Sequence, residues 1–101
     1  MRPSDYVKKG WTKGFLARNS NGMSRSPNDP DAICWCMIGA ICKATTNDAE
    51  VNKFLKCTYN VLKKRGIRSP VDAYNDTVGR TRDEVLSVLE EAEKEYYETK
   101  S

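Results

Sequence analysis

From Ala32 to Cys42 the chain reads AICWCMIGAIC, without a charged side chain. A helix drawn through this run has apolar residues on every face, so the pattern predicts a buried central helix over residues 30–44. SPNDPD (26–31) supplies its start, with Asp29 as cap, Pro30 in the first turn and Asp31 at the positive end of the dipole. Thr45, Thr46 and Asn47 then break the pattern. A second helix, 48–65, is capped by Asn47 or Asp48 and stopped by Gly66. It spaces Val51, Phe54, Leu55, Thr58, Tyr59 and Leu62 as one apolar stripe, opposite Lys53, Lys56, Lys63 and Lys64. A third helix, 82–97, opens on Thr81 and Glu84, which have the spacing of a capping box. Val85, Leu86, Val88, Leu89, Ala92 and Tyr96 form its buried side. Glu91, Glu93, Glu95 and Glu98 crowd towards the negative end of its dipole, so its last turns are expected to fray.

The remaining segments read as shorter elements. Ser4 caps a helical turn through Asp5, Tyr6 and Val7 that ends at Gly10 in a left-handed conformation. GWTKGFLAR (10–18), the turn-forming NSNG (19–22) and MSRS predict a small β-hairpin or an irregular arm. Its apolar residues Trp11, Phe15 and Leu16 are too few for a free-standing sheet and are expected to pack on the helices. Residues 67–80 hold Pro70, Asn75, Asp76 and Gly79 and read as an ordered connecting loop. The fold class is therefore mainly α: one small helical domain over residues 1–101, with a compact three-helix core and an N-terminal arm or hairpin. Two helices and an arm leave little margin for covering every face of the central helix, which points to a homodimer as an option.

Composition narrows the class. The hydrophobic fraction is 39% and the charged fraction 31%, a balance that argues for a soluble globular protein. The apolar run covers about 16 Å as a helix, about half the hydrocarbon thickness, so no membrane span is expected. The opening MRPSDYVKKG does not follow the pattern of a signal peptide, and a cytoplasmic location is the expectation. Of the four cysteines, Cys34 and Cys36 point about 200° apart on a helix and cannot share a metal or a disulfide. Reduced, packed thiols are expected, with no metal and no cofactor. The chain lacks histidine, which removes the usual general base. Residues 1–82 carry 15 basic and 7 acidic side chains (+8), and residues 83–101 carry 2 basic and 7 acidic (−5). A basic body suits nucleic acid or an acidic protein, and an acidic last helix can screen it.

Taken in order, GWTKGFLARNSNG, DAICWCMIGA and YNDTVGRTRDEVLSVLEEA resemble a small uncharacterised family from bacteria and their phages, with the pattern GWTxGxxAR, WCxxGA and WNDxxGRTxxEVLxxLxxA. The residues that match are Trp11, Thr12, Gly14, Ala17, Arg18, Gly22, Trp35, Cys36, Gly39, Ala40, Asn75, Asp76, Gly79, Arg80, Thr81, Glu84, Val85, Leu86 and Leu89. Tyr74 stands where the family pattern has tryptophan, which keeps an aromatic face and loses an indole N–H. The resemblance implies a fold and a source rather than an activity.

Three groups of residues are candidates for chemistry. Cys36 lacks a histidine to activate it and would lie mid-helix among apolar neighbours, so it reads as a small packing residue beside Gly39 and Ala40. Tyr74, Asn75, Asp76, Arg80 and Arg82 lead into the amino end of the third helix, where free amides and two arginines suit a phosphate or carboxylate and Tyr74 suits a stacked ring. The plainer reading is that Asp76 pairs with Arg80 and the group merely fixes its loop. Lys63, Lys64, Arg65 and Arg68 form a basic cluster suited to nonspecific phosphate contact or to a solvated helix face. Asp72 and Asp76 are a loop carboxylate pair that nothing in the sequence sets around a substrate. The expectation is a noncatalytic protein of bacterial or phage source, acting stoichiometrically on a host protein, for example as an inhibitor of a bacterial defence system. The alternative is a nucleic-acid or nucleotide binder that uses the basic body and the amino end of the third helix.

Overall fold

A computed structural model describes residues 1–45 and 47–100, so Thr46, one of the residues expected to interrupt the central helix, lies outside the described residues. The described residues form α1 (Pro3–Lys9), β1 (Ala17–Arg18), β2 (Ser24–Arg25), β3 (Cys34–Trp35), α2 (Met37–Ala44), α3 (Asp48–Lys64), α4 (Val71–Asp76) and α5 (Arg82–Lys100). The protein is mainly helical, with a small antiparallel sheet of order β2-β1-β3.

The apolar run is not one helix. Its first part is β3, Cys36 is extended (φ −80°, ψ 178°), and α2 starts only at Met37. Pairing across the chain explains the departure from the pattern. Ala17 and Arg18 of β1 pair with Trp35 and Cys34. The Trp35 amide donates to the Gly10 carbonyl at 2.9 Å, and its indole N–H donates to the Pro27 carbonyl at 3.0 Å. With those donors committed, residues before Cys36 have no helical bond to make. The expected cap residues serve turns instead. Asp29 Oδ1 accepts the Asp31 amide at 2.8 Å, and Asp31 accepts from Asn19 at 2.9 Å and pairs with Arg25 at 3.4 Å.

The expected hairpin is present as β1 and β2, turned around buried Asn19, whose Oδ1 accepts the Asn21 and Met23 amides. The first helix starts earlier than expected. Asp5 accepts the Arg2 amide at 2.9 Å, and Ser4, expected to cap, lies inside the first turn. Gly10 ends it in an extended conformation (φ −173°) rather than a left-handed one. A Cβ at Gly10 would stand 2.4 Å from the Ile33 carbonyl oxygen, so the glycine is there to admit the strand.

The core is arranged differently from a central helix sandwiched by two others. α2 packs chiefly on α1 and also meets α3 and α4, while the long antiparallel pair α3 and α5 makes the most extensive helix contact, with α1 also against α5. Asn47 caps α3 by accepting the Glu50 amide at 3.0 Å. Phe54, Thr58 and Leu62 of the expected stripe are buried, but Tyr59 turns outward at 45% exposure and Val61 takes the inward place. On α5 the expected Val85, Leu86, Val88, Leu89, Ala92 and Tyr96 are buried, and Glu93 joins them. α5 runs to Lys100, beyond the expected end at 97, with Glu91 and Glu95 held by Arg65 and Lys64. Residues 71–76 of the expected loop are the short helix α4, anchored by buried Val71 and Tyr74 one turn apart.

Candidate functional site

Asn75 joins three parts of the chain. It is fully buried, and its Oδ1 accepts the Trp11 indole N–H at 2.7 Å and the Met37 amide at 3.1 Å. Its Nδ2 donates to the Thr12 carbonyl at 3.1 Å and to Asp76 Oδ1 at 2.9 Å. One amide side chain therefore holds the arm, the first turn of α2 and α4, with both donors and the acceptor oxygen in use. Neighbouring bonds extend the joint: Asp76 Oδ1 also accepts the Gly14 amide at 2.9 Å, and Lys13 Nζ donates to the Thr77 carbonyl at 2.9 Å.

The turn after α4 is fixed as firmly. Arg80 lies 3.7 Å from the centre of the Tyr74 ring, donates from Nε to the Tyr74 carbonyl at 3.0 Å and from Nη1 to Glu84 at 3.1 Å. Thr81 and Glu84 make the expected capping box, with the Thr81 amide to Glu84 at 2.9 Å and the Glu84 amide to Thr81 Oγ1 at 3.2 Å. The bonds from Thr81 and the nearby Arg80 hold the Glu84 carboxyl below its ordinary value.

These contacts group Asn75 with Asp76 and Tyr74 with Arg80, but Arg80 pairs with Glu84 rather than with Asp76 as expected, and they spend much of the group on the fold. Tyr74 is 3% exposed and one face of its ring is covered by Arg80, so it is not offered to an incoming base. Asp76 is exposed, as is Arg82 at the first position of α5. Lys63, Lys64 and Arg65 lie apart from this group, at the end of α3, where Lys63 is exposed and Lys64 and Arg65 reach α5. Arg65 donates to Glu91 at 2.8 Å and to Ser87 Oγ at 3.2 Å, and Lys64 pairs with Glu95 at 3.7 Å. The acidic last helix thus pairs with two of the cluster's four cations, and phosphate at Lys64 or Arg65 would compete with carboxylates already in place.

Cys36 is not mid-helix, as its place in the apolar run suggested. It is the N-cap of α2, and its Sγ accepts the Gly39 amide at 3.3 Å. Burial raises its thiol pKa more than the Gly39 and Ile38 amides lower it, and Asp76 raises it further, so the neutral thiol is favoured. All four cysteines are free. No group of three or more His, Cys, Asp or Glu side chains able to hold a metal occurs among the described residues.

Beside Cys36 the arm and α4 enclose an open cavity of about 250 Å³, lined by Gly14, Phe15, Leu16, Ile38, Asp72 and Asp76. The carboxylate pair therefore does converge on a common space. Phe15 and Leu16 correct a second expectation: they do not bury themselves on the helices but stand 43% and 44% exposed. Their backbone is pinned from both sides, since the Leu16 carbonyl accepts the Cys36 amide at 3.2 Å and a Cβ on Gly39 would stand 1.9 Å from that same oxygen. The one available signal was the apolar pair Phe15 and Leu16 directly after Gly14.

Among the described residues no helix is long and apolar enough to cross a membrane. No curated protein and no solved structure matches the chain. A family model covers residues 5–95, nearly the whole of the arm, the sheet and the helices described above, and by that match the chain belongs to the family of unknown function DUF6197.

Proposed function

We propose that this is a noncatalytic binding protein of bacterial or phage origin that acts stoichiometrically on a host protein in the cytoplasm, with inhibition of a bacterial defence system as its specific form. The observation that carries the reading is the arm: Phe15 and Leu16 are solvent-exposed apolar side chains on a backbone held by the Gly14 amide bond to Asp76 and the Cys36 amide bond to the Leu16 carbonyl. An exposed apolar group that cannot collapse onto its own core, and whose position is predetermined, is what a docking surface needs. The neutral thiol of Cys36 and the committed side chains of Asn75 and Arg80 favour packing roles over nucleophilic or acid–base ones. The ion pairs of Lys64 and Arg65 with α5 weigh against the nucleic-acid alternative.

Affinity capture from a bacterial host lysate, followed by reconstitution from purified components, tests the proposal. A protein partner that forms a complex of fixed stoichiometry supports it. Recovery of nucleic acid or nucleotide without a protein partner, with DNA or RNA binding that falls steeply with salt, overturns it. Sedimentation of the protein alone reports whether a second copy is the partner.

A further inference from the structure

Two cavities lie on either side of Leu16. The first is the one beside Cys36. The second, about 280 Å³, is bounded by Leu16 again and by Pro27, Cys42, Asp48 and Val51. Ile38 lines the first and Cys42 the second, and residues four apart on a helix share a face. The two cavities thus open along one face of α2 as separate hollows, with Leu16 lining both. They extend past Cys42 to Thr45, about 10 Å along the helix from Ile38 at roughly 1.5 Å per residue.

The hollows have a charge opposite to that of the protein. The chain carries a formal net charge of +3, yet among the described residues no lysine or arginine lines either cavity. Asp72 and Asp76 line the first cavity with the apolar Phe15, Leu16 and Ile38, and Asp48 lines the second with Leu16 and Val51. Two cations of the arm are turned to other work: Lys13 donates to the Thr77 carbonyl, and Arg18 stacks on Phe15 at 4.2 Å and donates to the Lys13 carbonyl at 3.2 Å. Size selects the class of occupant. Each cavity is below the roughly 300–1,000 Å³ of a small-molecule site, so each suits a side chain or two rather than a whole ligand. The aspartates repel phosphate and attract ammonium or guanidinium groups.

We propose that this face docks a polypeptide segment of a partner protein, one that places an aliphatic side chain on each side of Leu16 and a lysine or arginine against the aspartates of each hollow. The inference rests on the reading of this chain as a protein-binding module and assigns that function a surface and a recognition chemistry. Leu16 is the central apolar contact, and Asp72 and Asp48 select the flanking charges.

A randomised peptide library displayed on a carrier and panned against the immobilised protein supplies the probe. The expected result is enrichment of segments with two aliphatic residues flanked by Lys or Arg. Peptides so selected should lose at least about tenfold in affinity for Leu16→Glu and several-fold for Asp72→Lys, as truncation of a central apolar contact and of a rim charge predict. Circular dichroism of both variants, which alter exposed side chains, checks that they fold, and Leu16→Ser serves as a milder variant should Leu16→Glu unfold. Enrichment of acidic or charge-neutral sequences, no enrichment, or equal binding to the variants overturns this docking face. Self-association of the wild type that the same substitutions abolish also overturns it, in favour of a second copy as occupant. A host protein captured equally well by wild type and Leu16→Glu would overturn the docking face while leaving the proposed function standing, whereas failure of capture altogether with nucleic acid recovered removes both.

Discussion

Two parts of this molecule join their elements by different physics. The joint between the arm and α4 is made of directional bonds to a buried amide, in which Asn75 alone meets Trp11, Thr12, Met37 and Asp76. The pair α3 and α5 is made of an apolar seam, with Phe54 against Tyr96 at 4.7 Å between ring centres, and of exposed ion pairs at its edge. The seam supplies stability without much demand on position, since apolar burial is non-directional. The joint supplies position, because a buried polar group that shifts leaves its partners unsatisfied. Phe15 and Leu16 are presented by the joint, not by the seam.

The substitution expected to cost most attacks the joint. Asn75→Ala removes the partner of the Trp11 indole, the Met37 amide and the Thr12 carbonyl at once, and should lower stability by about 3–5 kcal/mol, given about 1–3 kcal/mol for each buried group left unpaired. Urea denaturation measures it, and a loss below about 1 kcal/mol would mean that water replaces the amide and that the joint is not what fixes the arm. Gly39→Ala comes next. Its Cβ would enter the Leu16 carbonyl, and overpacking of this kind costs about 1–3 kcal/mol, with displacement of the arm visible as shifted amide resonances of residues 14–17.

A third prediction concerns pH and the attachment of α1 to α5. Glu93, 2% exposed, accepts the Ser4 amide at 2.7 Å and the Ser4 hydroxyl at 2.8 Å. Burial raises its carboxyl pKa, more than Ser4 and Arg2 lower it, and Asp5 raises it further. A carboxyl raised in the folded state favours folding while protonated, so its contribution is full below the unfolded value and is lost as pH rises through the folded one. Stability measured relative to Glu93→Gln should therefore fall as pH rises from the ordinary carboxylate range towards neutrality, and a rise would show that the Ser4 bonds dominate instead. The smallest effect belongs to the edge of the seam: a double-mutant cycle on Arg65 and Glu91 should return about 0–1 kcal/mol, fading with salt.

The sequence carried the seam almost completely. Three- and four-residue spacing, the Asn47 cap and the Thr81–Glu84 box act within a helix or across its first turn, and the structure reproduces them. What it hid was long-range. Trp35 and Cys34 leave the helical pattern because Ala17 and Arg18 offer a strand partner, which no local period announces. The motif residues Asn75 and Asp76 were visible as a group, yet their role follows from Trp11 and Gly14 more than sixty residues away. Phe15 and Leu16 were read as buried because apolar residues usually are, while the contacts that hold them outward come from Gly39 and Cys36. A side chain's burial depends on what the rest of the chain leaves uncovered, and that is settled only in three dimensions.

The comparison reduces to one measurement. Isothermal titration of a library-selected peptide should show affinity lost by at least about tenfold in Leu16→Glu, on the joint, and kept within about twofold in Lys63→Glu, on the exposed face of the seam. Loss in Lys63→Glu with full binding by Leu16→Glu would contradict the account and move the docking surface to the basic helix.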